Sequence, residues 1–464
     1  MAIRLIHPSG REPARRWIGE TLLSRLLDGF ECVAGDGDDW LLEPMKPGVA
    51  GRIRIADAFL RSPTATWMSA DSLPREPLRH LDPRAAGLDV PLVEPLLPVL
   101  FGAPTLELPA SGDVRLGIDI FGSAFLMLSR YEEAARPQVD VHGRFPASAS
   151  VAFRNGFLER PIVDEYVELL WACMHRTWPW LHRRRSEFRV LPSHDVDEPS
   201  RRAFRGLREV SRESVGDALK RGALRDAWQG PWHWACGQRQ LHRNDPFNTF
   251  EWIMDESERS GLRSAFYFVA GPGDPAMDPR YRLEHPAIRR LIARIHGRGH
   301  EVGLHPGYRS YLDPACLQAE ARRLRGTCAR LGVAQPEWGA RMHYLRWHAP
   351  ETLRGLQAAG IDYDATLGFA DRIGFRCGTS HEYRAFDVVA GVPLAIRIRP
   401  LVAMDVTVLN SAYMGLGTGD EAYRALDRIK RACRYSGGNF TLLWHNNELA
   451  SGQARELYAS LLRP

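Results

Sequence analysis

The sequence predicts an α/β chain in two parts. A βα barrel of seven strands spans residues 188–464, and a smaller α+β domain spans residues 1–185 before it. Three observations predict this. From about residue 188, short apolar segments alternate with amphipathic ones of helical spacing, the pattern of βα units around a mainly parallel sheet or barrel. Several amphipathic segments begin after Pro or Asp and end at Gly, as helices do. Before residue 185 the chain instead mixes short apolar strands with loops.

Taken in order, "GDGDDW" (residues 35–40) is a turn. "IFGSAFLMLSRYEEAAR" (120–136) has apolar residues at helical spacing and a charged end, which makes it a helix. "PIVDEYVELLWACMHRTW" starts at proline and continues amphipathically, a second helix. "LHRRRSEFR" links the two parts. The strands that follow are "FRVLPSHDVD", "RSAFYFVAG", "HEVGLHP", "PEWGARMHY", "DYDATLGF", "LAIRIRPLVAMDV" and "NFTLLWHNN". Between them lie the helical patterns "PFNTFEWIMDESERSG", "PAIRRLIARIHGRG", "PACLQAEARRLRGTCARLG", "APETLRGLQAAG" and "DEAYRALDRIKRACRYSGG". Seven strands suit a barrel better than an open sheet. The Arg-rich, Trp-containing segment 199–244 is an insertion over one face.

Composition narrows the function. Of 464 residues, 44% are hydrophobic and 25% charged, which is ordinary for a globular protein. Net charge is +5, from 61 basic and 56 acidic residues, and the Arg clusters are short. No nucleic-acid-binding signature accompanies them. The seven cysteines are dispersed, with no CxxC pair, so a reducing compartment is expected. The N-terminus has no apolar core of signal-peptide length and no window approaches a membrane span, so the expectation is a cytoplasmic protein without membrane insertion.

The chemistry collects at strand ends. Asp195 and Asp197 close the first strand of the barrel. Alternation puts both on one face, about 6–7 Å apart, and turns His194 to the other. Two such carboxylates repel unless a positive group sits near them. His305, Arg341 with His343, Asp405 and His445 end four further strands. The C-terminal strand ends of a βα barrel converge on one mouth. Carboxylate plus imidazole is a ligand set for a divalent metal, typically zinc with an open position for water.

At this point the segment 188–464 resembles the polysaccharide deacetylases of carbohydrate esterase family 4, the NodB-homology fold. The resemblance implies a distorted (β/α)7 barrel that removes acetyl groups from N-acetylated sugars. "SHDVD" is similar to the family's first motif, which implies Asp195 as general base and Asp197 as metal ligand. "HEVGLHPGY" resembles the second, with His305 as ligand. "GARMHY" offers Arg341 to brace the base, and "LLWHNN" offers His445 as general acid. One departure concerns the second ligand histidine of that motif, because position 309 is Arg309. His343 is the candidate replacement: it lies two residues from Arg341 and so faces the same side of that strand. The implied cofactor is a divalent metal, zinc first, with cobalt or nickel also fitting. His300 begins its strand and belongs at the far end.

Other residues have two readings. Asp405 either raises the pKa of His445 or caps a helix or ion pair. Asp371, Arg372 and Arg376, in a Gly- and Arg-rich loop, either line the substrate cleft or pair among themselves at the surface. Trp338, Trp347 and Trp444 either stack on sugar rings or fill the core. In the first domain, "SRYEE" and "DVHGRF" resemble an uncharacterised N-terminal domain found beside deacetylases of surface-polysaccharide gene clusters. That domain either recognises substrate or caps the barrel mouth, or else its Arg130, Glu132, Asp140 and Arg144 form buried salt bridges.

The expectation is a metal-dependent deacetylase of an N-acetylated sugar, or of a nucleotide- or lipid-linked glycan precursor, in surface polysaccharide biosynthesis. Two alternatives stand beside it. One is hydrolysis of another C–N amide bond on the same barrel. The other is a non-catalytic carbohydrate-binding protein on a degenerate barrel, for which Arg309 is the motive.

Overall fold

The computed structural model describes residues 3–109, 112–221, 231–232, 234–271 and 273–463. The first part is built on a six-stranded mixed sheet of β1 (Ile3–His7), β2 (Phe30–Ala34), β3 (Trp40–Pro44), β4 (Ile53–Ile55), β7 (Gly102–Glu107) and β8 (Val114–Ile118), ordered β2-β1-β3-β4-β8-β7. A two-stranded ribbon, β5 (Arg79–Leu81) and β6 (Leu97–Val99), lies beside it. The segment read as one helix over 120–136 is two, Ile120–Leu128 and Tyr131–Ala135. The break falls at Arg130, whose φ of 56° is left-handed and ends the helical run. The helix read from "PIVDEYVELLWACMHRTW" runs Ile162–Thr177.

The second part is a nine-stranded sheet. Its strands are β9 (Arg189–Val196), β10 (Ala265–Val269), β11 (Glu301–His305), β12 (Gly339–Ala340), β13 (Tyr363–Asp364), β14 (Tyr383–Asp387), β15 (Val392–Ile398), β16 (Ala403–Met404) and β17 (Asn439–Leu443). The order is β14-β15-β13-β12-β11-β10-β9-β17-β16, and every pair is parallel except β14/β15. The expected alternation is present: helices Phe250–Arg259, Pro286–Gly297, Pro314–Arg330, Glu351–Ala358 and Asp420–Tyr435 follow the strands. Pro286 and Pro314 open two of them, and Asp313 caps the second by accepting from the Cys316 N–H at 3.0 Å.

Three expectations are corrected. Among the described residues, backbone pairing leaves β14 and β16 as unpaired edges, so the sheet is not shown to close into the expected seven-strand barrel. "LAIRIRPLVAMDV" is not one strand but two, because Pro400 has no N–H to give a ladder. β14 was not expected, and it pairs antiparallel to β15 through a bulge. Short β12 also has a physical reason. A Cβ on Gly339 would sit 2.1 Å from the Tyr363 ring, and one on Gly303 would sit 2.3 Å from Tyr267. These glycines leave room for Tyr267 and Tyr363 inside the sheet's curve, where their hydroxyls meet at 3.1 Å.

The two parts are bonded along a buried seam. Arg376 of the second part donates from Nε and Nη2 to Glu133 of the first at 2.8 and 2.6 Å, and Arg130 donates to the same carboxylate at 2.9 Å. Burial opposes the charge on Glu133, but the two guanidiniums outweigh it and hold its carboxyl below the usual range. The Tyr383 hydroxyl donates to Leu128 O, and Trp17 Nε1 donates to Arg384 O. In the insertion, a helix occupies Leu207–Arg221, and residues 222–230 and 233 lie outside the described ones. All seven cysteines are free. Among the described residues, no helix is long and apolar enough to cross a membrane.

Candidate active site

Strand alternation works as expected on β9. His194 turns into the packing behind the sheet, where Nδ1 meets the Trp444 carbonyl at 2.6 Å and the ring stacks on Phe266. Burial pushes its pKa down to about 3, so it is a neutral core histidine. Asp195 and Asp197 turn the other way, into a cavity of about 530 Å³ at the C-terminal strand ends. Both strand ends are tied beneath it by Tyr281, whose hydroxyl donates to Val196 O and accepts from Val269 N, each at 2.8 Å.

Asp195 is buried, and Arg341 Nη1 donates to its Oδ1 at 3.0 Å. Arg341 is itself fixed by bonds to Ala365 O and Ser193 Oγ and by the Tyr267 face. Around Asp197 three imidazoles converge. The His305 Nε2 lies 3.3 Å from Oδ1, and the His343 and His445 Nε2 atoms lie 3.7 and 3.6 Å from Oδ2. The ligand atoms of Asp197, His305 and His343 all lie within 4.8 Å of one another.

This donor set fits a divalent cation on two grounds. Asp197 Oδ1 and His305 Nε2 are buried and lack any hydrogen-bond partner, which is costly unless a further group satisfies them. The His305 and His343 imidazoles are each also oriented by the other nitrogen. His305 Nδ1 pairs with the Arg341 carbonyl, and His343 Nδ1 pairs with Asp278 Oδ1 at 2.6 Å. Such bonds fix the tautomer and aim the free nitrogen, as in metal centres. In the cation-free protein, burial opposes protonation of His343. Asp197 and then Asp278 outweigh it and raise its pKa to about 9. Burial likewise opposes charge on Asp197, while the two imidazoles hold its carboxyl well below the usual range.

On the opposite side, His445 Nδ1 meets Asp405 Oδ1 at 2.8 Å, and the His445 N–H donates to Asp405 Oδ2 at 2.6 Å. Burial lowers the imidazole's proton affinity, but Asp405 overrides it and raises the pKa to about 10. Asp405 also opens the short helix Asp405–Leu409, so it does not end a strand as expected.

Other expected residues fall elsewhere. His343 reaches the centre, but not from a strand. β12 stops at Ala340, and His343 begins a tight turn in which Tyr344 and Leu345 have left-handed φ values of 60° and 54°. Each such residue costs about 1–2 kcal/mol without glycine. Arg309 is exposed and pairs with Asp274 at 2.7 Å. His300 sits at the far end of β11, accepting from Ser264 N.

The three residues expected to bind substrate lie outside this cavity. Trp444 is fully buried against Tyr458, because alternation turns it away from the side His445 faces. Arg376 is locked in the seam with Glu133, and Asp371 accepts from the Ala147 N–H across the same seam. None of them lines the cavity. Trp347 is buried and Trp338 packs near Arg325. The first domain's charges do pair: Arg130 with Glu133, Glu132 with Arg154, and Asp140 with Arg144. Arg144 nevertheless also lines the cavity, as do Phe204, Arg205 and Glu209 of the insertion.

Sequence reasoning missed Asp278. It sits in the loop after β10, accepts from the Tyr308 and Asp274 N–H groups, and holds His343. Its only local signal is an acid in a Pro- and Gly-rich loop following a strand end.

Comparisons with known proteins give the following. A family model described as a family of unknown function, DUF7033, matches residues 63–179. Curated proteins give no match. Among solved structures, the chain is similar to the "putative polysaccharide deacetylase" of Mycobacterium smegmatis at TM-score 0.36 and 19% identity, over 60% of this chain and 85% of that one. It is similar to the "probable polysaccharide deacetylase" of Pseudomonas aeruginosa PAO1 at TM-score 0.35 and 14% identity, over 60% and 83% of the two chains. It is also similar to the PuuE allantoinase at TM-score 0.34 and 14% identity, over 59% and 82%.

Proposed function

We propose that this chain is a metal-dependent hydrolase that removes an N-acetyl group from a sugar or sugar-linked precursor in surface polysaccharide biosynthesis. The observation that carries the reading is one cavity holding three groups with distinct environments. They are an arginine-held carboxylate (Asp195), an orphaned Asp–His–His cluster (Asp197, His305, His343) and a carboxylate-backed imidazole (His445 with Asp405). Amide hydrolysis needs a base for water, a polariser for the carbonyl and an acid for the leaving nitrogen. The order of the four motifs along the chain, which resembles the deacetylases, supports the N-acetyl substrate.

Asp195 serves as the base. Arg341 holds Oδ1, leaving Oδ2 to take a proton from the attacking water. Asp197, His305 and His343 would hold the cation, with zinc suited to this donor set and cobalt or nickel also compatible. When bound, it supplies Lewis-acid polarisation of the acetyl carbonyl and of water. His445, oriented and kept protonated by Asp405, delivers a proton from Nε2 to the departing amine.

The non-catalytic reading took its motive from Arg309. Because Arg309 points to solvent and pairs with Asp274, its identity removes nothing from the cluster, where His343 stands. The experiment is metal content of the purified protein beside Asp197→Ala and His343→Ala, with acetate release from N-acetylhexosamine substrates followed in parallel. Near-stoichiometric metal lost in both variants, together with acetate release, supports the proposal. Product without acetate would point to another C–N bond. No metal and no product, even with added zinc or cobalt, would overturn it.

A further inference from the structure

We infer that the N-terminal domain holds the third side chain of the candidate metal centre in place, with Arg144 acting as a positioning residue for His343. This rests on the reading of Asp197, His305 and His343 as a cation site. His305 ends β11, which pairs with β10 and β12, and Asp197 directly follows β9, which pairs with β10 up to Val196. His343 lies past the strand pairing, although its N–H still donates to Pro306 O just after β11 at 3.1 Å. It lies beyond β12, in a turn whose next two residues hold left-handed conformations that non-glycine residues resist. A turn of that kind persists only where surrounding contacts over-determine it.

Some of those contacts come from its own domain, as where the Met342 N–H donates to Thr366 Oγ1 at 3.0 Å, and others come from the first domain. The loop 140–144 is closed on itself by Asp140, which accepts from the His142 and Arg144 N–H groups at 2.8 and 3.0 Å. Asp140 also pairs with the Arg144 guanidinium at 2.7 Å. So held, buried Arg144 reaches across and donates from Nη1 to the Tyr344 carbonyl and from Nη2 to the Tyr413 hydroxyl, each at 3.3 Å. His142 packs on the Tyr344 ring at 5.0 Å, and its Nδ1 meets the Tyr308 hydroxyl at 3.1 Å. Tyr308 in turn donates its N–H to Asp278, the carboxylate that aims His343. One loop of the first domain therefore touches the turn that carries His343 and, through Tyr308, bears on the carboxylate that orients it. The matched family of unknown function covers this loop, within residues 63–179.

The test is metal affinity, measured for zinc and cobalt by competition with a chromophoric chelator on the full chain. The variants are Arg144→Ala, Arg144→Lys, Asp278→Asn and the double variant Arg144→Ala/Asp278→Asn. Lysine keeps the ion pair with Asp140 but lacks the fork that reaches Tyr344 and Tyr413, so it separates positioning from folding. Both Arg144 variants should bind about tenfold more weakly, at the low end of what losing a ligand-orienting partner costs. The visible bands of the cobalt protein should shift, while the metal-free unfolding midpoint of Arg144→Lys stays at the wild-type value. Because both substitutions act through His343, the double variant should lose less than the product of the single losses. Unchanged affinity and spectrum in both Arg144 variants, or losses that multiply in the double variant, would overturn the inference while leaving the metal site intact. A wild-type protein that binds no metal would overturn the reading of the site itself.

Discussion

Two clusters of buried charge sit in this molecule, and they are built on opposite rules. At the seam, Glu133 receives Arg130 and Arg376, opposite charges meet at 2.6–2.9 Å, and none of the three leaves a buried polar atom orphaned. At the mouth, three imidazoles face one carboxylate at 3.3–3.7 Å, and two of the converging atoms have no partner. Both clusters have charged groups in a low-dielectric setting with perturbed pKa values, so neither burial nor shift distinguishes scaffold from site. Unfilled valence does. The seam is complete as it stands, whereas the mouth leaves two converging atoms without a partner.

The sharpest way to break that contrast is to empty the mouth. Asp197→Ala should reduce metal content to background and abolish acetate release, read by elemental analysis and product assay. Full occupancy in that variant would show that the orphaned atoms are not ligands. Next in size, Asp195→Asn should keep the metal and lose about 10²–10⁴ in kcat, since it removes the base but no ligand. His445→Gln should lose about 10² or more on an N-acetyl substrate. It should lose far less on an aryl acetate, whose phenolate leaves without protonation. Equal losses on both substrates would place His445 elsewhere in the reaction. The seam responds in stability: Arg376→Ala leaves Glu133 with Arg130 alone and should cost about 2–3 kcal/mol of unfolding free energy in denaturant titration. Metal affinity there should stay unchanged; if it falls with stability, the two clusters are not independent.

The same contrast explains what was legible in the sequence. β9, β11 and β17 are readable because each is an apolar run that ends abruptly in an ionisable residue, so strand identity and site residue come from one pattern. The roles of Arg376 and Trp444 were misplaced for different reasons. Trp444 neighbours His445 in sequence, but adjacent strand residues point to opposite faces, the rule that correctly set His194 aside. Arg376 sits in a loop whose partner, Glu133, lies 243 residues away, and no local signal carries such a pairing. Asp278 and Arg144 were invisible as site residues for that reason too, because their partners His343 and Tyr344 are distant in the chain. Local pattern reveals groups that point at the mouth from strand ends. It does not reveal groups that arrive from loops and hold others in place.

The smallest expected effect is the most pointed. Arg309 stands where the resemblance implies a ligand histidine, yet its side chain is 82% exposed and pairs with Asp274 outside the cluster. Arg309→Ala should therefore change metal affinity by less than the error of the measurement. It should change stability by less than about 1 kcal/mol, as for any exposed ion pair. Arg309→His sharpens the question. If the loop after β11 can bring a histidine to Asp197, the variant acquires a fourth ligand and binds cobalt more tightly with altered visible bands. If the loop is held outward by its own packing, through Ser310 on Glu320 and Tyr308 on Asp278, affinity stays as it was. Unchanged affinity is the outcome the geometry favours.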